Sequence, residues 1–84
     1  MLARLWIGNL SLDTTSEDIR ELFSTVGVVE SCQLIEDQET GQSEGSAFVV
    51  MNSMETAYLA KERFHGHGLH GKVLEVRGTK PRSE

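Results

Sequence analysis

The sequence predicts an α+β domain of β-α-β-β-α-β order, a four-stranded antiparallel sheet with two helices on one face. Three observations carry this expectation. Short runs at Arg4–Leu10 and Lys72–Arg77 alternate apolar and polar residues, the period-two pattern of half-buried strands. Two longer runs repeat apolar residues at helical spacing, each with a single apolar stripe, so each helix has one face to bury. Polar, glycine-bearing segments separate the runs, and 84 residues leave room for one core only.

In Arg4–Leu10, Leu5 and Ile7 fall on one side and Arg4, Trp6 and Gly8 on the other, with Asn9 closing the strand. A helix begins at Thr15, which has Asp18 three residues on; Thr14 with Glu17 has the same spacing, and either pair suits a capping box. Ile19, Leu22, Phe23 and Val26 then share one helical face, acids gather near its start, and Gly27 ends the helix. Val28–Ile35 reads as the second strand and residues 36–45 as a hairpin loop. Ala47–Met51 is the third strand, apolar on both faces as a central strand is.

Ser53 caps the second helix, whose inner stripe is Ala57, Ala60 and Phe64. His65–Gly71, with three glycines and three histidines, reads as a loop. In Lys72–Arg77, Leu74 and Val76 point inward while Glu75 and Arg77 point outward. The expected core is Leu5, Ile7, Ile19, Leu22, Phe23, Ala47, Val49, Ala57, Ala60, Leu74 and Val76. This is the ferredoxin-like arrangement, with sheet order 4-1-3-2 by predicted strand. Residues 1–78 are expected to form the domain and 79–84 a polar C-terminal tail.

Composition narrows the function. Eight Lys and Arg against 13 Asp and Glu give a net charge of −5, which argues against strong non-specific binding to nucleic acid but leaves a local basic patch open. No apolar run approaches the roughly 18 residues of a membrane span, and no signal peptide is legible, so no membrane partner is expected. The single cysteine, Cys32, cannot form an intrachain disulfide. That fits a reducing compartment, hence a cytoplasmic protein, or a nuclear one in a eukaryote. Cys32 alternates with Gln33 and so faces the helices as a small core residue. His65-x-His67-x-x-His70 has no acid nearby in sequence, whereas zinc takes four donors with a supporting shell, and we read it as an exposed loop. There is no phosphate loop, paired acid and base, or activated cysteine. No catalytic residue, metal or cofactor is expected, and the chain reads as a binding module.

The helices cover one sheet face and leave the other open. Alternation puts Arg4, Trp6 and Gly8 on the open face of one central strand, and Ser46, Phe48 and Val50 on that of its neighbour. Two aromatic rings on an uncovered sheet mark a place where something stacks or docks. At these residues the sequence resembles the RNA recognition motif (RRM) family. Leu5-Trp6-Ile7-Gly8-Asn9-Leu10 matches its hexamer, and Glu44-Gly45-Ser46-Ala47-Phe48-Val49-Val50-Met51 stands at its octamer. The resemblance runs from about Arg4 to Arg77. The chain's brevity resembles the small single-RRM proteins of bacteria, and an excised eukaryotic domain would look the same.

The resemblance implies single-stranded RNA stacked on Trp6 and Phe48. It also implies a weakened site, because Ser46 stands where an aromatic is expected and Glu44 where Lys or Arg would meet phosphate. Met51 replaces a further aromatic but points into the core. Each base stack is worth about 1–3 kcal/mol, so an aromatic restored at Ser46 is expected to add one such increment. Glu44 and Ser46, two apart, are expected to emerge on the same side. Arg4 and Arg77 are expected to pair with phosphate or stack on a base, Gln33 and Asn9 to read base edges, and Lys80 and Arg82 to follow the RNA beyond the last strand. The alternative is an RRM-fold protein-interaction module that takes a peptide or partner chain. Its acidic first helix supports that reading, but such modules carry Arg-x-Phe after the second helix, and here Arg63 and Phe64 are adjacent.

Overall fold

Leu5, Ile7, Ala47, Val49 and Val76 alternate with more exposed neighbours, and each is at most 2% exposed. That alternation forms the inner face of an antiparallel sheet in the computed structural model, which describes residues 2–79 (for residue 43, the backbone alone). Its elements are β1 (Ala3–Gly8), α1 (Ser16–Phe23), β2 (Val29–Glu36), β3 (Ser43–Met51), α2 (Met54–Phe64), β4 (Gly68–Leu69), β5 (Lys72–Val73) and β6 (Glu75–Gly78). The main sheet has four strands in the order β2-β3-β1-β6, as the predicted 4-1-3-2 requires. Leu5 pairs with Val49 and Gly78, and Ile7 with Ala47 and Val76.

Both helices lie on the inner face, α1 against β2, and α2 against β1, β3 and β6. Thr15, not Thr14, is the α1 cap: Asp18 N–H donates to Thr15 Oγ1 at 3.2 Å, and Thr15 N–H donates to Asp18 Oδ2 at 3.1 Å. Thr14 is buried instead. Ser53 Oγ accepts from Thr56 N–H at 3.1 Å and starts α2. The alanines on its inner stripe let α2 approach the sheet, and Phe64 meets Phe23 of α1 with ring centroids 4.8 Å apart. All the expected core residues are buried except Leu22, which is partly buried at the edge of the cluster. Leu10, Val29, Met51 and Phe64 extend the core. Among the described residues no helix is long and apolar enough to cross a membrane.

Several boundaries differ from the expectations. α1 ends at Phe23 with Ser24 as its cap rather than at Gly27, because the N–H groups of Thr25 and Val26 reach back only three residues, to the Leu22 and Phe23 carbonyls at 3.3 and 3.2 Å. The β2–β3 loop is shorter than residues 36–45, because polar residues pair their backbones as readily as apolar ones and Asp37 closes a tight turn. Its Oδ1 accepts the N–H groups of Glu39 and Thr40 at 2.7 and 3.2 Å, and Gly41 takes φ of 76°. The segment 65–71 is not all loop: β4 pairs with β5 through a two-residue turn in which His70 and Gly71 both have positive φ, 53° and 80°. Consequently the fourth strand of the main sheet begins at Glu75 rather than Lys72. At the far end, Thr79, assigned to the polar tail, still donates its N–H (3.1 Å) and hydroxyl (2.9 Å) to the Arg4 carbonyl. The rest of that tail lies outside the described residues.

Candidate functional site

The strand registers turn the open face into a grid. Trp6 is opposite Phe48 on β3 and Arg77 on β6, and Phe48 is opposite Gln33 on β2. One row, Gln33–Phe48–Trp6–Arg77, therefore crosses all four strands. A second row holds Ser31, Val50 and Arg4, and a third holds Ile35 with Ser46 and Gly8 with Glu75. Trp6 and Phe48 are both partly exposed, whereas Phe23 is fully buried, as the face assignment demands.

Cations lie beside both rings. The Arg4 guanidinium carbon is 4.6 Å from the Phe48 ring centroid, and that of Arg77 is 5.8 Å from the Trp6 ring. Both distances are within cation–π range. Arg77 is also held by an acid of its own strand. Glu75 Oε2 accepts from Arg77 Nε at 2.9 Å and from Arg77 Nη2 as well. Sequence reasoning missed this pair, although residues two apart on a strand share a side.

Gly8 departs from the expectation of a water-facing position. It lies on the open face but is buried, because the Trp6 indole bends along its own strand and covers it. Asn9 has φ of 61°, and its side-chain amide donates to the Val73 carbonyl at 2.7 Å, tying the end of β1 to β5. Gln33 is exposed and Ser46 half-buried. The expectation that Glu44 shares a side with Ser46 does not follow from alternation here. Gly45 between them has φ of 81°, and the register slips there from Ile35–Ser46 to Glu36–Ser43. This bulge directs the Gly45 carbonyl to Leu10 N–H at 2.9 Å. Lys80 and Arg82 lie outside the described residues.

The three histidines take three separate partners. His70 Nε2 meets Asp18 Oδ2 at 3.2 Å, His65 Nδ1 accepts from Val76 N–H at 3.2 Å, and His67 packs edge-on against Phe64. Asp18's carboxyl is held below its ordinary pKa, chiefly by the Thr15 N–H and further by His70, although partial desolvation works the other way. Cys32 faces the helix side, its Sγ 3.5 Å from the Ser16 carbonyl. Burial pushes its thiol pKa up, against a weaker opposing pull from Arg20.

Comparison with known proteins gives a consistent picture. The sequence model of the RNA recognition motif matches residues 5–75. The 28 kDa chloroplastic ribonucleoprotein of Nicotiana sylvestris is 40% identical over 80 residues, which is 95% of this chain and 29% of that protein. The chloroplastic RNA-binding protein CP31B of Arabidopsis thaliana is 38% identical over 80 residues, 95% of this chain and 28% of that one. This chain thus spans less than a third of the length of these two relatives. Among solved structures, RNA Binding Protein PG1 superposes with a TM-score of 0.91 at 33% identity, covering 98% of this chain and 99% of that one. The Sex-lethal protein/RNA complex gives 0.88 at 30% identity, over 96% of this chain and 48% of that one. Both curated relatives are named as chloroplastic, so the expectation of a cytoplasmic or nuclear protein finds no support in them.

Proposed function

We propose a single-stranded RNA ligand because the chain belongs to the RNA recognition motif family. The observation that carries the reading is the row Gln33–Phe48–Trp6–Arg77, which sets two partly exposed rings side by side on adjacent central strands. Residues directly opposite on antiparallel strands have Cβ atoms about 4.5–5.5 Å apart, close enough for two successive bases to take one ring each. Arg4 and Arg77 stand over those rings and supply positive charge where the sugar–phosphate chain must run. Gln33 closes the row with a side chain able to donate to and accept from a base edge. Lys80 and Arg82 remain proposed phosphate contacts on sequence grounds. Asn9 donates one amide N–H to the Val73 carbonyl, and its Oδ1 and second N–H remain proposed for a base edge.

Two stacks at about 1–3 kcal/mol each, with few phosphate contacts, support an affinity near micromolar or weaker at physiological salt. The role is binding rather than catalysis. The protein-interaction alternative rests on the acidic first helix; it gains nothing from Phe64, which is 3% exposed and packs on Phe23 as a core residue.

Titration with a mixed-sequence single-stranded RNA octamer, followed by backbone amide shifts, tests the reading. Shifts should concentrate on β1, β3 and β6, and Trp6→Ala and Phe48→Ala should each weaken binding by about tenfold or more. Shifts confined to the helices, with both variants binding as the parent does, would replace this reading with the protein-interaction one.

A further inference from the structure

We propose that Gly8 and Ser46 together form a seat for the Trp6 indole, so that the small residue at 46 positions an existing platform rather than leaving a third one vacant. This rests on Trp6 serving as a base platform, as proposed above. A methyl group added at Gly8 would overlap Cη2 of Trp6 and lie 2.6 Å from Cζ3 and 2.9 Å from Cζ2. Carbon atoms in contact sit about 3.5–4.0 Å apart, so the six-membered ring rests directly on the Gly8 backbone. The burial of Gly8 on an otherwise open face agrees.

The indole therefore reaches one row along its strand, from the Phe48 row into the Ser46 row. The β1–β3 register runs through Ile7 and Ala47, and its next step sets Gly8 opposite Ser46. On the other flank Gly8 is opposite Glu75, which holds Arg77 over the ring. The six-membered ring thus has Gly8 beneath it, Ser46 beside it from β3, and the Glu75–Arg77 pair beside it from β6. A phenylalanine at 46 would project from a Cβ about 5 Å from this position and contest the space the indole fills. The expected gain from an aromatic at 46 therefore turns into a competition between two rings for one place. The third side chain of this row, Ile35 opposite Ser46, closes the β2 end with an aliphatic surface.

The chain holds a single tryptophan, so its fluorescence reports on position 6 alone. Gly8→Ala and Ser46→Phe would be compared with the parent chain by emission maximum and acrylamide quenching without RNA, and by affinity for a mixed-sequence RNA octamer. Gly8 has no positive φ that alanine would strain. Both variants should shift the emission and raise quenching. Gly8→Ala should weaken RNA binding by about fivefold or more, and Ser46→Phe should fail to improve it. Unchanged emission and quenching in both variants would overturn the seat. So would a tenfold gain in affinity from Ser46→Phe. Trp6→Ala separates the two levels: if it leaves RNA affinity intact, the RNA reading fails, while the fluorescence of the other variants still decides the seat.

Discussion

Replacing Glu75 by glutamine should strengthen RNA binding, and the gain should fade as salt rises. Glu75 pairs with Arg77 through two hydrogen bonds to one carboxylate oxygen, directly beside Trp6. Any RNA phosphate that recruits Arg77 must first compete with this carboxylate. Arg77's side chain is 67% exposed and Glu75's 36%, so the pair is a surface pair, worth between nothing and about 1 kcal/mol. Removing the competitor should thus tighten binding by up to about fivefold at low salt. A released Arg77 adds about one phosphate contact, and for single strands each contact steepens the slope of log K against log salt by about 0.7. The assay is affinity for one RNA octamer at four salt concentrations, in the parent, Glu75→Gln, Arg77→Ala and the double variant. Glu75→Gln should be steeper than the parent by about that amount, and the difference should vanish when Arg77 is absent. Parallel lines for Glu75→Gln and the parent would show that Arg77 does not exchange Glu75 for phosphate, and would remove Arg77 from the proposed contacts.

Gly27→Ala should destabilise the fold by about 1–3 kcal/mol in urea melts, because its methyl would fall 2.7 Å from Thr56 Cγ2 and 2.8 Å from Thr56 Cβ, and Thr56→Ser should recover part of the loss. Asp18 titrates lower in the folded chain than in the unfolded one, chiefly through the Thr15 N–H, so its contribution is present above the ordinary carboxylate value of about 4 and lost as pH falls through the lowered value. Asp18→Asn should flatten the acid limb of stability against pH, and an unaltered limb would discount the capping box. Cys32, its thiol raised by burial, should alkylate at pH 7.5 well below the rate of the urea-unfolded chain, as mass spectrometry at timed intervals would show.

The face assignment was legible because β1 and β3 keep strict alternation: Leu5 and Ile7 against Arg4 and Trp6, Ala47 and Val49 against Phe48 and Val50. The α1 cap was legible, since Thr15 and Asp18 act on their own neighbours, but its stop was not: the helix ends at Phe23 with Ser24 as its cap, short of the expected Gly27. What stayed hidden depends on torsions or on distant partners. Whether Trp6 stands up from the sheet or lies along it is a rotamer choice, decided by the absence of a side chain at Gly8. Asn9 finds its partner in Val73, 64 residues away. His70 enters the left-handed region in a two-residue turn that only Gly71 advertised. The Glu44–Gly45 bulge breaks the period-two rule between Glu44 and Ser46, where strict alternation would have set the two side by side.

A net charge of −5 and a nucleic-acid ligand are compatible when the charges are located. Glu17, Asp18 and Glu21 belong to α1, and Glu55 and Glu62 to α2, on the face of the sheet away from Trp6 and Phe48. A layer of about 10 Å separates stacked elements, and the screening length at physiological salt is about 8 Å, so these acids act weakly on the open side. Asp37 and Glu39 sit in the turn beyond the ends of β2 and β3. Within the three rows of the open face, among the described residues, Arg4 and Arg77 stand against one acid, Glu75. That acid is engaged with Arg77, which leaves Arg4, over Phe48, as the cation available first to an approaching phosphate. On the proposed RNA reading, a phosphate can meet Arg4 beside Phe48 without breaking an ion pair, whereas engaging Arg77 requires drawing it from Glu75.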